Sequence, residues 1–322
     1  MKRIYLTYDN TSLQDGVGAQ LQRIFGIYSI CKRLKLNYIH SRIIVTKEEL
    51  AHNVESVGGL EKILNEVNTK FVFPSSNLPE NYREITVRNI SRRNLIEFIV
   101  KSYIKRENLL VKICLPYGVI DKYPDWYEFA GTQIRNLSSF KVKKNKHQVV
   151  VHIRHGYKPI TGKNSASTPR FLPLNYYPIA LEELFKREKL DICTPVVVHT
   201  DIPASDGTWR PFQEEKISEL NSVGYEFSNQ QLDFKTIDLK QEYFSNYPNL
   251  VVKYCHPILD TLEDMYSSQF LLMSRSSFSY IAGVINPGVV YIPRIHNHAK
   301  MSRWQWDFHE VKITKTELLS GI

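Results

Sequence analysis

The sequence predicts an α/β protein of two domains, each built on a largely parallel sheet. Three observations carry this. Short apolar runs alternate with amphipathic stretches of helical period through both halves of the chain. The runs of the second half, such as VVVHI and TPVVVHT, are continuously apolar, which marks strands covered on both faces. A chain of 322 residues is long for one compact core, so two domains of roughly 150 residues each are expected.

In the first half, Arg3 to Tyr8 alternates apolar and polar residues and reads as a strand. The loop NTSLQDGVG leads into AQLQRIFGIYSICKRLK, whose apolar positions Leu21, Ile24, Phe25, Tyr28, Ile30 and Leu34 recur at helical spacing. YIHSRIIV is predicted as a strand, VESVGGLEKILNEV as a helix, KFVFP and REITV as short strands, and LIEFIVKSYIK as a further helix. The polar, basic stretch Ser138 to Gln148 marks the boundary between domains 1–145 and 146–322; a basic loop crossing a cleft would have the same composition.

The second half repeats the alternation. VVVHI, TPVVVHTD, GYEFSN, LVVKYC, FLLMS and VVYIP read as strands, and NYYPIALEELFKRE, LDTLEDMYSSQ and SSFSYIAGVI as helices between them. A last helix is expected within RWQWDFHEVKITKTELL. Ligands of parallel sheets sit beyond the carboxyl ends of the strands, which is where HIRHG, HTDIP and SRSSFS fall.

Composition narrows the function. With 43% hydrophobic and 23% charged residues the chain is globular rather than disordered. A formal charge of +9 favours acidic partners, nucleic acid, anionic lipid or a phosphorylated ligand, or is simply a solvated basic face. Cys31, Cys114, Cys193 and Cys255 are far apart, without CxxC pairing, and read as reduced core thiols. No stretch has the length of a transmembrane helix and the first residues lack the apolar core of a signal peptide, so a soluble, cytoplasmic protein is expected.

Four constellations carry chemistry. Arg154 lies two residues past His152 and shares its face at a strand end. A guanidinium there meets phosphate oxygens bidentately, or pairs with a carboxylate across the sheet. Ser276, Ser277 and Ser279, with Phe278 among them, cluster at a strand-to-helix junction, where they either cap the helix or help hold an anion. Gly16 and Gly18 precede the first helix, but Leu21 stands where a dinucleotide fingerprint has its third glycine, so a plain tight turn remains open. Asp201 follows a buried strand and can cap a loop, pair with Arg154 or contact a ligand.

Taken together these pieces resemble the α1,6- and α1,2-fucosyltransferases and their relatives, which share a GT-B architecture of two Rossmann-like domains facing a central cleft. DGVGAQLQRIFGIYSICKRLKLNYI is similar to that family's opening Gly-x-Gly-x-Gln turn, VVVHIRHG to its His-x-Arg-Arg strand end, and ILDTLEDMYSSQFLLMSRSSFS to its closing donor motif. The resemblance implies an acceptor-side domain first and a nucleotide-sugar domain second. By position, Arg154 with Ser276 and Ser277 would bind the β-phosphate, and Phe278 lies in the same motif. His152 and Asp260 would touch the base, Asp201 matches the first acid of a family pair, and Gly16, Gly18 and Gln20 would line the cleft. Three positions depart from the pattern: His155 replaces the second arginine, Tyr157 the acid that follows, and Ile202 the second acid of the pair. Between His155 and Ala180 there is no Asp or Glu to supply the family's general base.

The implied activity is an inverting glycosyltransferase moving L-fucose from GDP-fucose to a glycan hydroxyl, with no cofactor and no required metal. Arg154 stabilises charge on the leaving phosphate, and His155, Asp15 or His40 takes the acceptor proton. Two alternatives stay open: a UDP-sugar such as UDP-xylose on the same scaffold, and an inactive glycan- or nucleic-acid-binding protein, although no recognised nucleic-acid motif is present. The aromatic run Tyr123 to Phe129 is either a sugar-stacking surface or core.

Overall fold

A computed structural model describes residues 4–11, 16–44, 57–137, 147–154, 172, 174–201, 238–254, 256–294, 296 and 298–306. The chain divides into two compact units. One comprises Met1–Glu49, Lys62–Val142 and His298–Ser302, the other Leu50–Glu61, Lys143–Asn297 and Arg303–Ile322.

The first unit holds β1 (Ile4–Tyr8), α1 (Val17–Leu34), β2 (Asn37–Tyr38), α2 (Val57–Lys70, which begins before the unit's second segment), β3 (Arg83–Asn89), α3 (Arg92–Lys105), β4 (Leu109–Leu115), α4 (Tyr117–Ile120) and α5 (Tyr127–Arg135). Its four strands are all parallel, in the order β2-β1-β4-β3. The centre of the unit is α1, buried along most of its length and packed on α5. It ends at Lys35, which adopts the left-handed conformation (φ 54°) while its N–H and that of Leu36 return to the carbonyls of Lys32 and Cys31.

Two expected strands are replaced by other structure. YIHSRIIV pairs only at Tyr38, because amide side chains take over the backbone beyond it. Asn68 bonds both the N–H and the carbonyl of Ile43, at 2.7 and 2.9 Å, and Gln20 does the same for Ile44, at 3.2 and 2.6 Å. In KFVFP, Phe71 and Phe73 are buried two residues apart as in a strand. They pack on α1 instead: Phe73 lies edge-on to Phe25 at 5.0 Å and stacks on Tyr28 at 4.1 Å. The central strand β4, LLVKICL, was not foreseen.

The second unit holds β5 (His147–Ile153), α6 (Tyr176–Glu188), β6 (Val196–Thr200), α7 (Leu239–Tyr243), β7 (Leu250–Tyr254), α8 (Ile258–Tyr266), β8 (Ser268–Leu272), α9 (Ser277–Ile285), β9 (Val289–Ile292) and β10 (Gln305–Trp306). All six strands are parallel, in the order β10-β9-β8-β5-β6-β7. Counted from β5, this is the order 3-2-1-4-5-6 of the Rossmann fold. The chain builds outward through β6 and β7, then returns to the other side of β5 with β8. In the segment expected to contain a last helix, Gln305–Trp306 form strand β10 on β9; residues 307–322 lie outside the described residues, as does GYEFSN.

Arg303 seals the junction of α9 and β9, donating to the carbonyls of Gly283, Val284 and Asn286 at 2.8 to 2.9 Å and so satisfying the open end of the helix. Beside it, Gly288 has no room for a side chain. A Cβ there would stand 2.4 Å from the carbonyl oxygen of Gln269 and 2.8 Å from that of Ser268. Gly288→Ala is therefore expected to cost roughly 1–3 kcal/mol, read as a lower urea midpoint, because strand backbone has to shift.

Of the cysteines, Cys31 and Cys114 are buried free thiols as expected, whereas Cys193 is exposed, and Cys255 lies outside the described residues.

Candidate functional site

An open parallel sheet binds its ligand where the strand order reverses, outside the carboxyl ends of the strands. In the second unit that point lies between β5 and β8, which are hydrogen-bonded neighbours. The end of β5 carries His152 and Arg154, and the end of β8 runs through Ser274 and Arg275 into α9. Two motifs some 120 residues apart in the chain therefore meet at the switch point: Nδ1 of His152 lies 2.8 Å from Oγ of Ser274, 122 positions further along the chain.

His152 is buried, with its ring 5.8 Å from that of Phe278. Burial pulls its pKa down to about 3, with Arg154 and His199 adding to the effect and Asp201 opposing it. It is thus a neutral imidazole that ties β5 to the β8–α9 turn. The folded pKa is depressed, so the unfolded chain alone takes up this proton between the ordinary value of 6.5 and about 3. The stability of neutral His152 is fully present above about pH 6.5 and is lost as pH falls through that window. His152→Gln is expected to flatten this limb of the stability-versus-pH curve, read by urea unfolding from pH 7 to 4.

Ser276 is the N-cap of α9, accepting from the N–H of Phe278 at 3.2 Å. Ser277, half-buried, is the first helical residue, and the first turn carries no acidic side chain. The buried Ser279 donates back toward the carbonyls of Ser276 and Ser274, at 3.1 and 3.3 Å. The helix end is thus pinned, with its positive dipole end at the switch point. Arg275, half-buried at the same turn and absent from the sequence-based set, places a second guanidinium there; burial lowers its pKa.

Arg154 pairs with Asp201, which follows β6, at 3.2 Å from Nη1 to Oδ2. Both of the sequence's open readings, a carboxylate partner for Arg154 and an arginine partner for Asp201, are met in one contact. The Arg154 side chain is 38% exposed, so the pair is partly open to solvent.

Asp260 is exposed in the first turn of α8, 3.9 Å from Nε2 of His256. In the first unit, Gly16 is the N-cap of α1 at φ −55°, with no left-handed turn. Gly18 and Gln20 are buried in α1, and the Gln20 amide is engaged by Ile44. His40 bonds Tyr38 Oη at 3.0 Å through Nδ1, and burial lowers its pKa. His155 and Asp15 lie outside the described residues. In the aromatic run, Tyr127 is fully buried and donates to the carbonyl of Gln22, while Tyr123 and Trp126 stack at 4.6 Å.

A buried carboxylate elsewhere in the second unit was missed. Asp264 of α8 accepts from Lys253 at 2.6 Å and sits 3.0 Å from Nε2 of His199, both on Oδ2. His147 Nε2 lies 2.9 Å from its other oxygen, close enough for an ion pair though not aligned as a hydrogen bond. Register accounts for part of the gathering: His199 and Lys253 stand opposite each other on β6 and β7, while His147 reaches the carboxylate from the start of β5. The apolar run ending in His199 was the signal that could have found it.

No protein-family model matches the chain, and no curated protein does. Solved structures are similar to it, three of them as follows. E. coli heptosyltransferase WaaC with ADP-2-deoxy-2-fluoro heptose is 8% identical, with 94% of this chain and 92% of that one covered at a TM-score of 0.38. POFUT1 in complex with GDP is 12% identical, with 95% and 98% covered at 0.41. NodZ alpha-1,6-fucosyltransferase co-crystallized with GDP is 12% identical, with 89% and 93% covered at 0.39.

Proposed function

We propose that this chain is a glycosyltransferase whose second unit binds a nucleoside-diphosphate sugar, GDP-fucose being the donor favoured by the motifs, and moves the sugar to a hydroxyl of a glycan acceptor with inversion. One observation carries the reading: the Rossmann strand order brings the Arg154 strand end beside the Ser276–Ser277 helix start at the switch point. A diphosphate carries its charge on oxygens that a guanidinium, serine hydroxyls and a helix N-terminus can all meet. As the sugar departs, negative charge grows on the phosphate, and donors already fixed there stabilise the transition state more than the ground state.

His152 and Ser274 keep the two halves of the phosphate site in register, and Asp201 holds the Arg154 side chain by an ion pair. In this reading the positive charge comes from the chain, so transfer proceeds without a divalent ion. The acceptor proton goes to a base among His155, Asp15 and His40.

The test is thermal stabilisation of the folded protein by GDP and by UDP, followed by transfer assays in excess EDTA. GDP is expected to raise the melting temperature more than UDP, and turnover is expected to survive EDTA. A larger shift with UDP moves the donor to a UDP-sugar; no shift with either nucleotide overturns the reading. Activity lost to EDTA and restored by manganese overturns its metal-free part.

A further inference from the structure

We propose that α3 is a docking face for an anionic membrane surface. Its sequence, RRNLIEFIVKSYIK, repeats apolar residues at helical spacing, and such a helix ordinarily turns its apolar side to the core. Here it does not. Only Leu95 and Ser102 are buried, with Phe98 half-buried. Ile96, Ile99, Val100, Tyr103 and Ile104 are exposed, Tyr103 to 85% and Ile104 to 72%. Their spacing of i, i+3, i+4, i+7 and i+8 makes one continuous stripe rather than scattered single residues, and a continuous stripe marks an interaction surface.

Charge selects the occupant. Arg92, Arg93, Lys101, Lys105 and Arg106 stand on the helix and its cap against Glu97 alone, so residues 92–106 carry five positive and one negative charge, net +4. Glu97 is itself paired with Lys101, one turn on. A second copy of this chain would bring the same +4 face against it, and like charges at a closed two-fold contact repel. An anionic bilayer satisfies both halves of the face. Its interface takes the apolar stripe, with Tyr103 at the depth where tyrosine is favoured, and its headgroups meet arginines and lysines whose stems extend along the stripe. The 14 residues of α3 span about 21 Å, so the helix lies on the surface. Among the described residues no helix is long and apolar enough to cross a membrane.

The experiment is co-sedimentation of the intact protein with vesicles of phosphatidylcholine alone, or of phosphatidylcholine with about 30% phosphatidylglycerol, at low and high salt. Wild type is expected to partition onto the anionic vesicles and to be released by salt. The triple variant Ile96→Ser, Val100→Ser, Tyr103→Ser keeps the net charge, so it separates docking by this stripe from attraction to any basic surface. It is expected to lose roughly tenfold or more in partition while keeping the wild-type melting temperature. Should it unfold, the single variant Tyr103→Ser makes the same comparison at unchanged charge, and the pair Arg92→Glu, Arg93→Glu tests the attraction of the basic residues, since all three positions are exposed. Three results overturn the proposal: wild type binding no vesicle, the folded variants binding as wild type does, or a concentration-dependent dimer in light scattering that the triple variant abolishes.

Discussion

Arg154→Ala is expected to lower sugar transfer by about a hundred- to a thousandfold or more while the protein stays folded. The first half follows from the place of the residue: it leaves the end of β5 at the switch point, where fixed donors meet charge as it develops. The second half follows from its exposure. The Arg154–Asp201 pair is partly solvated on both sides, so its loss leaves Asp201 to be hydrated, at a cost within about 1 kcal/mol. Arg154→Lys is expected to recover only part of the rate, because an ammonium cannot offer the planar paired donors of a guanidinium. Turnover, GDP affinity and the urea midpoint are the three readouts. Near-normal turnover in a folded Arg154→Ala protein would remove the phosphate role.

The largest expected effect on stability is at Asp264. Asp264→Ala leaves Lys253, His199 and His147 around a void without their shared carboxylate, and uncompensated buried charge costs about 3–5 kcal/mol. The partial exposure of Lys253 lets its ammonium reach water, which places the expected value at the lower end, about 3 kcal/mol. Replacing both members with apolar residues, Asp264→Leu with Lys253→Met, is expected to restore much of the loss, since no charge is then stranded. A double variant no more stable than Asp264→Ala would show that the carboxylate acts through geometry rather than charge. Urea unfolding at neutral pH measures both.

Much of the architecture was legible because strand and helix periods are local properties. VVVHI, TPVVVHT and FLLMS were read as buried parallel strands and are β5, β6 and β8 within a residue or two. The failures were local as well. YIHSRIIV has strand composition, but Asn68 and Gln20 offer its backbone better partners than a neighbouring strand does. Gln20 was expected to face a ligand for its place after the glycine turn, yet its amide is spent on Ile44, and nothing in a single sequence distinguishes the two uses.

Among the candidate residues, Arg154, Ser276 and Ser277 were chosen for their types at a strand end and a helix start, and the fold brings those ends onto neighbouring strands, whereas Asp264 was passed over for Asp260. The two acids are one turn apart in LDTLEDMY and share a helix face, so spacing cannot say which lies deeper. Packing decides it: Asp260 is at the exposed first turn, whereas Asp264 is buried and its carboxylate reaches His199 of β6 and Lys253 of β7.

By itself the chain's order of residues determined that parallel strands would alternate with helices and that basic and hydroxylic side chains would gather at strand ends. Only the folded arrangement decided that β8 returns to lie beside β5, that His152 reaches Ser274, and that the stripe of α3 faces outward. The physical reason is range. Backbone sterics and side-chain periodicity act over a few residues and set which face of an element is apolar, but the neighbour that covers that face is chosen by contacts formed across more than a hundred residues.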